Sequence, residues 1–144
     1  MSAGTRLVQG VSIIIRRGNQ YLLLKRTART RYFAEKWECV SGKIEPEETP
    51  HQAAVREVRE ETGLDVQLDQ EPITFVQTKL GENELHLTYF HGDYRGGEVQ
   101  LSHEHCEAGW FDADEVAVLN VHTETIELIR GQEGSRSGKD RQSA

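Results

Sequence analysis

The sequence predicts an α/β fold with a mixed β-sheet, and three observations carry that prediction. Apolar runs rich in β-branched and aromatic residues recur at 11–16, 21–25, 37–40, 73–78, 85–94 and 107–111. A capped helical segment spans 50–62, between the third and fourth of these runs. A second helical segment at 123–130 closes the pattern, so strands alternate with one central and one terminal helix, as in layered α/β domains.

Each element has a local reason. Residues 11–16, Val-Ser-Ile-Ile-Ile-Arg, are β-branched and suit a buried strand. Arg17-Gly18-Asn19-Gln20 is a turn, because Gly and Asn tolerate positive φ, and Tyr21 to Lys25 return as the second arm of a hairpin. A basic loop carrying Arg26, Arg29, Arg31 and Lys36 leads to a short strand from Trp37 to Val40. In the central helix Thr49 is the N-cap, Pro50 occupies the first helical position, Gln52 is at N3 and Gly63 is placed to end it. Ala54, Val55, Val58 and Thr62 form its less polar face. After the strand around Trp110, Asp112 or Asp114 caps a short turn through Val118. Ile126, Leu128 and Ile129 are the apolar residues of the terminal helix. The length of 144 residues fits one domain, assigned to 1–130. Residues 131–144 carry Gly, Ser, Gln and charge, and are expected to form a disordered tail.

Composition excludes some functions. A net charge of −7 disfavours nucleic acid and anionic membrane as partners, since both need a cationic surface. No apolar run approaches the roughly 20 residues that span a bilayer. Residues 11–15 are too short for a signal-peptide core, so a cytoplasmic location is expected, with Cys39 and Cys106 as reduced thiols.

The segment 42–64 carries the chemistry. Glu57, Glu60 and Glu61 stand at helical i, i+3 and i+4, on one patch of helix surface. Like charges so placed repel by roughly a few tenths of a kcal/mol per pair. A cation relieves that repulsion, and hard oxygen donors without thiolate point to Mg²⁺, or Mn²⁺ in its place. The alternative is a solvated helix face in which Arg56 and Arg59 pair with the glutamates. The planar fork of Arg56 is suited to orienting a carboxylate by two-point contact.

The same segment reads G-x5-E-x7-R-E-U-x-E-E-x-G-U, where U is aliphatic, met by Gly42, Glu48, Arg56, Glu57, Val58, Glu60, Glu61, Gly63 and Leu64. This resembles the signature of the Nudix hydrolases, which cleave nucleoside diphosphates linked to another group. The resemblance implies an α/β/α sandwich, with Glu57, Glu60, Glu61 and the carbonyl of Ser41 holding the metal. It also implies that Glu48 buttresses Arg56 or the second metal shell. The loop Ser102-His103-Glu104-His105-Cys106-Glu107 resembles the family's acidic loop over the phosphates, so Glu104 is the candidate general base, with Glu60 or Glu61 as alternatives. The family's usual Pro-Gly-Gly is Val40-Ser41-Gly42 here. If the middle position requires positive φ, Ser41 carries strain of about 1 kcal/mol.

Substrate contacts are expected from Arg26, Arg29 and Arg31 towards phosphates and from Tyr32 and Phe33 towards a base, with a solvated loop and core packing as the alternatives. His103, His105 and Cys106 read as surface loop, with zinc ligation or substrate contact as the other readings. The expected activity is Mg²⁺-dependent hydrolysis of a nucleoside triphosphate, ordinary or oxidised, to a monophosphate and pyrophosphate. ADP-ribose or a nucleotide sugar is the alternative substrate. A nucleotide-sensing module without catalysis is the alternative of another kind, but such modules lose catalytic glutamates and none is lost here. The resemblance makes a homodimer compatible with the sequence and does not decide it.

Overall fold

The structure, a computed structural model, describes residues 5–143, with side chains described through residue 134. The elements are β1 (Leu7–Arg17), β2 (Gln20–Arg26), β3 (Trp37–Glu38), β4 (Val40–Lys43), α1 (Pro50–Thr62), β5 (Asp65–Leu68), β6 (Thr74–Leu80), β7 (Asn83–Gly96), β8 (His105–Phe111), α2 (Ala113–Ala117) and α3 (Thr123–Ser143). The sheet is mixed. β1 lies parallel to β7, while its pairings with β2 and β4 are antiparallel. β3 and β8 extend the sheet from β2, and β5 and β6 extend it from β7, all antiparallel.

The centre of this sheet is covered on both faces, which explains its continuous apolar runs. Alternation along β1 sends Ile13 and Ile15 to one core and Ile14 to the other. Leu22 and Leu24 of β2 join the first, which packs Ala53, Ala54 and Val58 of α1. Tyr21 and Leu23 join the second, which packs Val116 of α2 and Ile129 of α3. The result is the helix–sheet–helix layering that the resemblance implied.

Several local expectations are met. Thr49 Oγ1 accepts from Gln52 N at 3.1 Å, and Gln52 Oε1 accepts from Thr49 N at 3.0 Å. Gly63 ends α1 at φ 68°, its N–H donating to Arg59 O. Gly18 turns the β1–β2 hairpin at φ 62°. Of the two aspartates proposed as caps of the short turn, Asp112 does it, its carboxylate accepting from Glu115 N at 2.8 Å.

Other expectations change. The buried face of α1 is Ala53, Ala54, Glu57, Val58, Glu61 and Thr62, whereas Val55 is 36% exposed. The helix is rotated so that two of its glutamates, rather than Val55, face inward. β5 was not legible: four residues are too few for a periodic signal, and it pairs with β7 where the missing Cβ of Gly92 leaves room for the Val66 side chain. β4 continues into the motif, so Ser41 lies in a strand opposite Ser12 rather than in a strained loop. Positive φ among described non-glycine residues occurs at Phe33, Glu35 and Glu47, and Ser41 carries none of the expected strain. α3 runs past Arg130, where the disordered tail 131–144 was expected to begin, and Glu133 accepts a 3.0 Å hydrogen bond from buried Tyr21 Oη. The side chains of residues 135–144 lie outside the described residues.

The turn before α1 stores strain. Glu48 N donates to Glu45 O at 3.1 Å with Pro46 between them, and exposed Glu47 takes φ 74°, a value that suits glycine at the third position of such a turn. Replacing Glu47 with Gly is expected to raise stability by about 0.5–1 kcal/mol, the left-handed penalty less glycine's entropy cost. Urea denaturation measures this, and a loss of stability would show that Glu47 makes a contact worth more than the strain.

Candidate active site

Glu57 and Glu61 stand one turn apart on the inward face of α1, with residue exposures of 7% and 6%. A carboxylate on a buried helix face needs a gap in the strand beneath it. Gly42 of β4 supplies the gap, because a Cβ there would collide with the Glu57 carboxylate. Gly10 of β1, paired with Lys43, allows the same close approach: a Cβ on it would lie 2.9 Å from Gly42 O. Both glutamates thereby reach a cavity of about 530 Å³.

Arg56 organises the carboxylates. Its Nε and Nη2 donate to the two oxygens of Glu48 at 2.7 and 2.9 Å, a bidentate pair. Nη1 donates to Glu57 Oε1 at 2.7 Å and to Glu60 Oε2 at 3.2 Å, and Nη2 also reaches Lys43 O at 2.9 Å. One guanidinium thus ties the end of β4, the loop before α1 and two helix glutamates together. The hydrogen bonds from Arg56, then that from the Glu45 backbone, hold the Glu48 carboxyl down to about 2. Burial pushes Glu57 up to about 7, against the opposing pull of Arg56 and with help from Glu61 and Glu60. Glu60 is different: its side chain is 59% exposed and it is not on the cavity wall.

Of the three loop residues read as surface, His105 alone is buried. His105 is 4% exposed, its Nε2 2.8 Å from Glu38 Oε2 and its Nδ1 2.9 Å from Glu61 Oε2. The second contact is an ion pair outside hydrogen-bond alignment. Burial opposes charge on this imidazole, yet the two carboxylates outweigh it and raise the ring to about 9. His103 and Cys106 are exposed, so this trio does not converge as a zinc site. Cys39 and Cys106 are free thiols, and burial pushes Cys39 up to about 12. Glu104 lines the cavity, and its carbonyl accepts from Thr27 N at 3.1 Å, which ties the acidic loop to the basic one.

Of the expected substrate residues, Arg26, Tyr32 and Phe33 line the cavity, while Arg29 and Arg31 are exposed and do not. Arg26 is already engaged: Nη1 donates to Glu38 at 2.9 Å and Nε to Tyr32 O at 2.9 Å. Tyr32 lies against Gly81 in the β6–β7 turn, and Phe33 meets His122 edge-on at 4.6 Å. Lys43, Lys79, His122, Glu124 and Thr125 also line the cavity and were missed. Lys43 ends β4, Lys79 is in β6, and His122, Glu124 and Thr125 stand at the start of α3, three places far apart in the chain. The burial of His105 had no sequence signal either, since it follows from pairing of Arg26 with His105 across β2 and β8.

The donor set fits a hard divalent cation. Glu57, Glu61 and Glu104 are oxygen donors on one cavity, and Ser41 lies on the same wall. No three acidic, histidine or cysteine side chains among the described residues form a ready cage. A hard divalent cation such as Mg²⁺ takes one or two protein carboxylates and completes its shell with water and substrate phosphate. Among the described residues no helix is long and apolar enough to cross a membrane.

Known proteins share this architecture. The family model described as NUDIX domain matches residues 6–131. The CTP pyrophosphohydrolase of Escherichia coli (strain K12) is 34% identical over 124 residues, covering 86% of this chain and 90% of that protein. The 8-oxo-dGTP diphosphatase of the same organism is 47% identical over 51 residues, which is 35% of this chain and 40% of that protein. The crystal structure of a MutT protein from Methanosarcina mazei Go1 superposes with TM-score 0.82 at 26% identity, covering 94% of this chain and 99% of that one.

Arg56→Lys keeps the charge and removes the fork. Its expected effect is a loss of about 1–2 kcal/mol, the worth of charged hydrogen bonds discounted for partial exposure, read by urea denaturation. Unchanged stability would show that the Glu48 pair is dispensable to the fold.

Proposed function

Because this chain belongs to the NUDIX family and is a Nudix pyrophosphohydrolase acting on nucleotide-type substrates, we propose that it hydrolyses nucleoside triphosphates, ordinary or oxidised, to a monophosphate and pyrophosphate with Mg²⁺ as cofactor. The observation that carries this reading is the pair Glu57 and Glu61, buried on α1 yet open to a nucleotide-sized cavity through the side-chain-free Gly42. Two relatives named for nucleoside triphosphate substrates support the substrate class.

In this reading Glu57, Glu61 and the Ser41 carbonyl hold the cation, with Glu60 joining from the rim. When bound, the cation neutralises charge on phosphoryl oxygens and makes water a stronger nucleophile at neutral pH. The chain's own groups do the rest. Lys43 and Lys79 on the wall supply positive charge to the polyphosphate. Phe33 and His122 offer ring surfaces to the base, and burial followed by Lys36 lowers the His122 pKa, which favours a neutral ring. Glu104 accepts the proton of the attacking water, since one oxygen of Glu61 is taken by His105. Water attacks phosphorus, the P–O bond to the diphosphate breaks, and pyrophosphate departs.

Glu57→Gln and Glu61→Gln are each expected to lower kcat by at least about 100-fold with the fold intact by circular dichroism. Near-normal turnover of CTP, dCTP and 8-oxo-dGTP in both would overturn the assignment. Nucleotide sugars and dinucleoside polyphosphates in the same Mg²⁺ panel test the substrate class.

A pH dependence follows from Glu57. Its carboxyl is raised to about 7, so it is largely protonated at pH 6 and ionised at pH 8. A cation binds only the ionised form and displaces the proton. Mn²⁺ affinity, measured by electron paramagnetic resonance, is therefore expected to rise about tenfold from pH 6 to pH 8 and then level off. A flat profile would place the cation away from Glu57.

A further inference from the structure

A buried imidazole between two carboxylates is costly unless all three are held in place. His105 is so placed: Nε2 meets Glu38 Oε2 at 2.8 Å and Nδ1 meets Glu61 Oε2 at 2.9 Å. The arrangement continues outward. Arg26 Nη1 donates to the same Glu38 oxygen at 2.9 Å, and Arg26 is fixed in turn by the Tyr32 carbonyl. It also continues inward, since Ser102 Oγ donates to Glu61 Oε2 at 3.2 Å. Among the described residues, Ser102 and His105 both act on Oε2 of Glu61, a residue that lines the cavity.

We propose that His105 is a positioning residue, which with Ser102 sets the rotamer of Glu61 so that Oε1 faces the cation, while Glu38 and Arg26 anchor the imidazole from behind. This rests on the reading of Glu61 as a cation ligand. The signature on α1 contains neither Glu38 nor His105, so the arrangement is a property of the sheet: β8 delivers His105 and β3 delivers Glu38, each beside β2. A flexible glutamate loses rotamer freedom when it binds a cation, and a carboxylate already fixed loses less. Removing such support from a ligand characteristically costs 10- to 100-fold in metal affinity or activity.

The test compares wild type with His105→Gln, Glu38→Gln and Ser102→Ala, using exposed His103→Gln as the control. Mn²⁺ affinity is measured by electron paramagnetic resonance without Mg²⁺, and steady-state kcat and KM for CTP at saturating Mg²⁺, with folding monitored by circular dichroism. His105→Gln is expected to bind Mn²⁺ about tenfold or more weakly and to lower kcat with little change in KM. Ser102→Ala and Glu38→Gln should follow in the same direction with smaller effects, and His103→Gln should match wild type. A folded His105→Gln with wild-type Mn²⁺ affinity and kcat would overturn the proposal. Should His105→Gln fail to fold, wild-type Mn²⁺ affinity in both Glu38→Gln and Ser102→Ala would overturn it equally. Failure of wild type to bind Mn²⁺ would instead remove the underlying cation-site reading, and the positioning role with it.

Discussion

The guanidinium of Arg56 is the constraint on which the site depends. Without a cation, α1 presents Glu57, Glu60 and Glu61 on adjoining turns, and the loop before it adds Glu45 and Glu48. Arg56 contacts all of these except Glu61, and in addition the Lys43 carbonyl at the end of β4. It therefore serves two purposes at once. It offsets repulsion among acids that the helix alone cannot relieve, and it fastens the helix to the strand that carries Gly42. A lysine could supply the charge but not the planar set of donors that meets several acceptors.

Glu61, which Arg56 does not reach, is supported from the opposite side. His105 and Ser102, in and beside β8, contact it, and Glu38 in β3 backs the histidine. The two inward glutamates of one helix are thus held by independent frames, one built by the local motif and one by the sheet. Their burial is unfavourable in isolation, as the raised Glu57 pKa shows. A helix face that a purely structural protein would fill with aliphatic residues is here given to carboxylates, which is the usual compromise between stability and chemistry.

One wall of the cavity comes from a loop under strain. Phe33 and Glu35 take φ of 56° and 62° in the basic loop, where non-glycine residues are disfavoured. The loop keeps that shape because it is tied at several points: Arg26 to the Tyr32 carbonyl, Glu35 N to Arg26 O, and Thr27 N to Glu104 O. Tyr32 reaches across to the β6–β7 turn at Gly81. The aromatic wall therefore depends on contacts from three parts of the chain.

The sequence by itself determined the α/β class, the cap and stop of α1, the glutamate motif and the role of Arg56. Each of these is encoded by neighbours within a few residues, where helical spacing and turn chemistry suffice. It also placed most strands, since the central ones are buried on both faces and read as continuous apolar runs. Only the tertiary structure decided which glutamates face inward, because that depends on how α1 rotates over Gly42 and displaced Val55 to the surface. Only the tertiary structure buried His105, relieved Ser41 of strain by pairing it with Ser12, and formed β5 against Gly92. Those outcomes rest on strand pairing between segments far apart in sequence, and spacing along the chain carries no record of such contacts.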